Sequence, residues 1–123
     1  ATGRWERIAG LPDGGTMTGA AGAVLADGRL LVAGGVDRGV FSGALALDPV
    51  RQQAYLSQPP AAYRFRSALW LFDPVSETWS KAGVSGRAAR AGAALAAVGG
   101  GAVMLGGETR PGIRTPQVWR IDL

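Results

Sequence analysis

The stretch that decides the fold is Ala23-Val24-Leu25-Ala26-Asp27-Gly28-Arg29-Leu30-Leu31-Val32-Ala33-Gly34-Gly35. It contains two apolar runs on either side of Asp27-Gly28, a dipeptide that strongly favours a tight β-hairpin turn. A second copy runs from Ala93 to Gly107, with Gly99-Gly100 at its turn, and both copies end in a pair of glycines. The sequence therefore predicts two similar antiparallel hairpins.

Two further patterns also occur twice. Each hairpin is followed by an aromatic strand that ends in aspartate, at 69–73 and at 118–122, and a short tryptophan strand occurs at 5–8 and at 79–82. The resulting unit has four strands, namely the two strands of the hairpin, then the aromatic strand, then the tryptophan strand. This unit repeats along the chain. We expect its aspartates to cap turns and its tryptophans to pack between strands. These residues are Asp73, Asp122, Trp5, Trp70, Trp79 and Trp119.

The spacing of the repeats reveals an insertion. Gly35 and Gly107 are 72 residues apart, whereas Asp73 and Asp122 are only 49 apart, so the first repeat holds an excess of about 23 residues between its glycine pair and its aromatic strand. This insertion covers about 36–67, with an apparent strand start at Val40-Phe41. A long insertion in a compact repeat is either a functional or interface element, or a surface excursion. Both interpretations stay open at this point.

Composition excludes several kinds of chemistry. The chain of 123 residues has no histidine and no cysteine, which rules out Ser-His-Asp and Cys-His catalysis and Cys-based zinc sites. We expect no metal and no cofactor. The net charge of +4 fits an anionic small ligand as well as a polyanion, but the basic residues are scattered rather than clustered, so we predict no nucleic-acid binding. No apolar run reaches the ~18 residues of a membrane span, and we predict no membrane association.

Strand parity predicts where the charged loops meet. In a four-stranded antiparallel unit, the loop after the second strand and the linker before the next unit leave the sheet at the same edge. This edge would collect five arginines around one carboxylate, a charge pattern that attracts anions. The residues are Arg38, Arg87, Arg90, Arg110, Arg114 and Glu108.

The segment Gly106-Gly107-Glu108-Thr109-Arg110-Pro111-Gly112-Ile113-Arg114-Thr115 is the most informative for chemistry. Pro111-Gly112 predicts a turn that folds Arg114 back toward Glu108. An arginine fork can hold a carboxylate ligand, and a glutamate can accept a proton. The two side chains could equally pair with each other and only brace the loop.

The repeats, the insertion and this segment together resemble the N-acetylneuraminate epimerase family, the sialic acid mutarotases with a Kelch propeller. The Glu-x-x-Pro-Gly-x-Arg-Thr block beside the insertion is the most specific part of the resemblance. The other matching segments are the Trp5 strand, 30–36, 40–43, 62–65, 71–74, 79–83 and 91–94.

The resemblance implies an all-β fold of Kelch-type propeller blades, each with four antiparallel strands, in an incomplete propeller of about two blades. Residues 1–123 would belong to one such domain: the last strand of a preceding blade at 4–9, a blade with its insertion at 20–83, and a partial blade at 91–123. The chain would then be a piece of a larger propeller or would associate with copies of itself.

The resemblance also implies a function, the interconversion of the α and β anomers of sialic acid by an isomerase. Glu108 matches the family's proton acceptor and Arg114 a partner for the substrate carboxylate. Weaker candidates for substrate contact are Arg38, Arg90, Arg110 and Tyr63, and Tyr63 is also a weak candidate for the missing general acid. The alternative is a non-catalytic Kelch module that binds a protein or a glycan. The resemblance implies a periplasmic protein, while the chain shows no signal peptide and a cytoplasmic location stays open.

Overall fold

The first repeat forms a four-stranded antiparallel sheet. In the structure, a computed structural model that describes residues 3–123, its strands are β1 (Ala20–Val24), β2 (Leu30–Gly34), β3 (Ala68–Asp73) and β4 (Thr78–Val84). They lie in sequence order within the sheet. This is the arrangement of a propeller blade, in which each strand pairs with the next one along the chain.

The second repeat forms a three-stranded sheet from β5 (Ala94–Val98), β6 (Gly101–Leu105) and β9 (Val118–Asp122). Between β6 and β9, a small hairpin is formed by β7 (Glu108–Arg110) and β8 (Ile113–Arg114). Strands β1 and β5, the first strands of the two sheets, pack side by side. The described residues thus provide one complete blade and three strands of a second, and propellers close with about 4 to 8 blades.

The core lies between the two sheets. Alternate residues of a strand point to the same face, and one such face of β2 and β3 carries Leu31, Ala33, Leu69 and Leu71, all buried. The second sheet contributes Ala102 and Met104, each about 1% exposed. Burial of this shared apolar layer holds the sheets face to face.

The two predicted hairpins are present. The first turns through Asp27-Gly28, where the Asp27 carboxylate accepts a hydrogen bond from the backbone N–H of Arg29 at 3.0 Å. In the second, Gly99-Gly100 forms the two-residue connection between β5 and β6. Asp73 caps its turn as predicted, because its carboxylate accepts from the backbone N–H of Val75 at 2.8 Å. Asp122 instead accepts from the Arg120 guanidinium at 2.7 Å.

The insertion is helical, so the strand start predicted at Val40-Phe41 is wrong. Between β2 and β3 lie α1 (Arg38–Leu45), α2 (Pro49–Leu56) and a short 3₁₀ helix (Pro60–Tyr63). Each α-helix begins at an aspartate whose side chain accepts a backbone N–H of the first turn, namely Asp37 before α1 and Asp48 before α2. These caps satisfy helix donors that would otherwise lack partners, and they outweigh the local strand preference of Val and Phe.

Residues 4–9 form no strand here, and the strands of a preceding blade with which they would pair are not among residues 3–123, so the strand at 4–9 stays a prediction. Trp5 is 95% exposed. The other tryptophans pack as expected. Trp70 is buried in β3, the Trp79 ring lies 5.0 Å from that of Phe72, and Trp119 is half-buried in β9.

Candidate functional site

The hairpin of β7 and β8 places Glu108 opposite Arg114. The two residues are cross-strand partners, and the Arg114 Nε lies 3.6 Å from a Glu108 carboxylate oxygen. The turn is the predicted Pro111-Gly112, with Gly112 at a φ of +76°, a conformation that glycine adopts without strain. The prediction that this turn folds Arg114 back toward Glu108 is confirmed.

The pairing of these side chains is loose. The other carboxylate oxygen of Glu108 accepts a long hydrogen bond of 3.4 Å from the backbone N–H of Gly112. The Arg114 side chain is 86% exposed and that of Glu108 is 32% exposed. An exposed ion pair of this length contributes about 0–1 kcal/mol to stability. Both groups can therefore exchange this contact for a ligand at little cost.

The backbone of Glu108 is fixed much more firmly than its side chain. Its N–H donates to the carbonyl of Ala91 at 2.8 Å, and the N–H of Ala91 donates back to the carbonyl of Glu108 at 3.0 Å. Ala91 belongs to the linker between the two blades. The candidate site is thus anchored at the junction of the blades.

Glu108 borders a pocket of about 220 Å³ between the hairpin and the insertion. The rest of the lining is mainly apolar and aromatic, and much of it comes from both helices of the insertion and from the segment after them. Its aromatic members are Phe41, Tyr55, Tyr63 and Phe65. A pocket of this kind, with a few polar groups at one side, is typical of small-molecule sites.

Arg90 has a different role from the predicted contact with substrate. The residue is 3% exposed, and its guanidinium donates to the backbone carbonyls of Arg87 and Gly106, both at 2.8 Å. Burial lowers its pKa. Arg90 therefore braces the linker against the start of the β7–β8 hairpin.

None of the predicted arginines, Arg114 included, lines the pocket. Arg38 is exposed in the first turn of α1, and Arg110 is half-buried at the end of β7; neither lines the pocket. The Arg87 guanidinium stacks 4.1 Å from the centre of the Trp119 ring, in a separate groove beside β9. Of the five arginines predicted around Glu108, the structure brings only Arg114 into contact with its carboxylate.

Tyr63 lines the pocket but is fully buried. Its hydroxyl donates to the backbone carbonyl of Tyr55 at 2.8 Å. Tyr55 and Phe65 were not among the predicted site residues, because the sequence of an insertion without assigned elements does not show which way an aromatic side chain faces. The Asp37 and Asp48 caps, which define the helices, were the available clue.

The described residues include no cluster of three or more metal-ligating side chains. Within the part of the chain that the structure describes, no helix is both long enough and apolar enough to span a bilayer.

Comparison with known proteins gives consistent matches. A family model described as N-acetylneuraminate epimerase matches residues 1–123. The N-acetylneuraminate epimerase of Yersinia enterocolitica is 31% identical, covering 97% of this chain and 33% of the relative. The corresponding Escherichia coli K12 protein is 32% identical over 78% of this chain and 29% of the relative. The chain thus spans about a third of the length of the curated relatives it matches.

The solved structure of YjhT superimposes with a TM-score of 0.75 and 30% sequence identity, covering 89% of this chain and 34% of that chain. The likeness supports the arrangement of both sheets. Together with the two antiparallel sheets, it confirms the predicted fold class, an all-β incomplete propeller.

Proposed function

Because the chain belongs to the N-acetylneuraminate epimerase family, we propose that it carries part of a site that interconverts the α and β anomers of N-acetylneuraminate. The observation that carries the proposal is Glu108, which borders an aromatic pocket and is loosely paired with the exposed Arg114. A carboxylate next to an exposed guanidinium suits a substrate that has both a hydroxyl to deprotonate and a carboxylate to bind.

Arg114 is the group that binds the substrate carboxylate. Its planar fork can donate two parallel hydrogen bonds to a carboxylate, and such charge-assisted pairs are stronger than neutral hydrogen bonds. With 86% of the side chain exposed, the guanidinium is accessible to a ligand. In sialic acid the carboxylate is attached to the anomeric carbon, so binding it places the anomeric hydroxyl close to the binding arginine.

Glu108 is the proton acceptor. It removes the proton of the anomeric hydroxyl, the bond between the anomeric carbon and the ring oxygen breaks, and the ring oxygen takes up a proton to give the open-chain ketone. Attack of that oxygen on the other face of the ketone, with return of both protons, forms the opposite anomer. A positioned base contributes about 10²- to 10⁴-fold to such a step.

The test is an anomerisation assay on the complete protein that contains this chain. A sialidase releases the α anomer, and proton NMR follows its conversion to the β anomer. We expect a rate above the spontaneous one, and a loss of about 100-fold or more for Glu108→Gln. Glu77→Gln is the matched control, because Glu77 is exposed in the turn between β3 and β4, away from the pocket. The control should keep the wild-type rate.

Arg114→Met separates binding from proton transfer. We expect this variant to raise KM more than it lowers kcat, because it removes the contact with the substrate carboxylate. A wild-type protein with no rate above the spontaneous one would refute the proposed activity. Binding of sialic acid without any anomerisation would instead favour the non-catalytic glycan-binding module.

A further inference from the structure

The proposed reaction needs a proton donor for the ring oxygen, and Tyr63 is poorly placed to supply it. Tyr63 is 0% exposed, and its hydroxyl proton is already donated to the carbonyl of Tyr55. A donor in this pocket must instead have a hydroxyl or ammonium group that is not engaged within the protein.

Tyr55 meets this condition. It lies near the end of α2, is half-buried, and lines the same pocket as Glu108. Among residues 3–123 its hydroxyl has no hydrogen-bond partner, in contrast to that of Tyr63. The two tyrosine rings meet edge to face, with centroids 5.1 Å apart and planes at 81°. This packing, with the bond from Tyr63 to the Tyr55 carbonyl, holds Tyr55 in position.

We infer that Tyr55 is the general acid that protonates the ring oxygen, an assignment that rests on the proposed function. As Glu108 takes the proton of the anomeric hydroxyl, the bond between the anomeric carbon and the ring oxygen breaks and the Tyr55 O–H proton passes to that oxygen. The products are the open-chain ketone, a protonated Glu108 and a tyrosinate. On ring closure the tyrosinate recovers its proton and Glu108 returns its own to the new anomeric oxygen.

The surroundings of Tyr55 keep its hydroxyl protonated. Burial raises the pKa of Tyr55 above its ordinary value, and the neighbouring Tyr63 raises it further. The phenol therefore remains a donor through neutral pH. The enzymatic rate should then fall at alkaline pH, once the spontaneous rate is subtracted, as Tyr55 loses its proton.

The experiment compares Tyr55→Phe with Tyr63→Phe in the complete protein. We expect Tyr55→Phe to lose about 100-fold in kcat with little change in KM, and to lose the alkaline limb of the pH–rate profile. Tyr63→Phe removes a hydroxyl from the same pocket and serves as the matched comparison. It should lower the thermal stability, because the hydroxyl bonds to the Tyr55 carbonyl. It should keep an alkaline limb, moved to lower pH because the Tyr63 phenol no longer raises the pKa of Tyr55.

Replacement of Tyr55 by 3-fluorotyrosine keeps the ring and the hydroxyl but makes the phenol more acidic. The alkaline limb of the pH–rate profile should therefore move to lower pH. If Tyr55→Phe folds poorly, the 3-fluorotyrosine protein tests the role of Tyr55 in its place. A Tyr55→Phe protein that is folded and keeps the wild-type rate and profile, while Glu108→Gln is inactive, would overturn the role of Tyr55 and leave the proposed function standing. An alkaline limb that stays at the wild-type pH in the 3-fluorotyrosine protein would also overturn the role of Tyr55. Absence of wild-type activity would refute both.

Discussion

Replacing Arg90 distinguishes bracing of the fold from binding of the substrate. Arg90 is 3% exposed, and its guanidinium donates to the carbonyls of Arg87 and Gly106. Arg90→Met keeps most of the apolar volume of the side chain but removes both donors. Arg90→Lys keeps the charge and can reach one carbonyl.

The magnitude follows from the two lost hydrogen bonds. A hydrogen bond to a charged donor contributes about 1.5 kcal/mol at the lower end of the usual range, so two contribute about 3 kcal/mol. Removing the cost of burying a charge offsets part of this loss. We expect Arg90→Met to lower the free energy of unfolding by about 2 kcal/mol, and Arg90→Lys by about half as much.

The assay combines urea unfolding of the complete protein with anomerisation kinetics. Because Arg90 holds Gly106, two residues before Glu108, the Met variant should also lose kcat as the hairpin shifts. A substrate-binding Arg90 would behave differently: KM would rise while the urea midpoint stayed at the wild-type value. That result would show the bracing role to be wrong.

Two further predictions concern stability. Gly34→Ala should destabilise the fold by about 2 kcal/mol or more, since Gly34 has a φ of +75° and an added Cβ would clash with the carbonyl oxygen of Arg90. Gly43→Ala, in α1 with open space around it, should stabilise the fold by about 0.5–1 kcal/mol in the same urea titration. The pKa of Asp73 is lowered, chiefly by the backbone N–H of Val75, so its ionised form stabilises the folded state above the unfolded pKa near 3.8 and this contribution is lost as pH falls through the lower folded value. Asp73→Asn retains an acceptor that does not titrate, so the excess stability of the wild type over this variant should shrink as pH falls from about 5 through the lowered pKa of Asp73. A difference independent of pH would contradict the assignment.

The parts of the fold that follow from short-range rules were predictable. Asp27-Gly28, Gly99-Gly100 and Pro111-Gly112 each specify a turn within a few residues, and the pairing of Glu108 with Arg114 follows from the last of these. The repeat spacing located the insertion because strand order fixes where extra residues can enter.

The parts that depend on distant partners were not predictable. Val40 and Phe41 have strand preferences that the Asp37 cap overrides. Parity placed Arg38, Arg87 and Arg90 on the edge of Glu108. Strand parity does not predict that the Arg90 side chain donates to backbone carbonyls, or that the Arg87 guanidinium stacks on the Trp119 ring. Side-chain direction within a loop is decided by packing, which a linear pattern does not record.

The pair of backbone hydrogen bonds between Glu108 and Ala91 also limits which insertions and deletions the linker before β5 can accept during evolution. The β7–β8 hairpin cannot keep its geometry without the linker. The Arg90 guanidinium, 16 residues earlier in the chain, donates a hydrogen bond to the carbonyl of Gly106 at the start of the hairpin. Helices α1 and α2 contain no buried residue, so the core does not fix the length of the loop between them, which is limited only by the need to keep Tyr55 at the pocket. A single deletion between Gly86 and Gly92 would shift the anchor of Glu108 by one residue. The short linker is therefore the segment whose length must be inherited together with the hairpin.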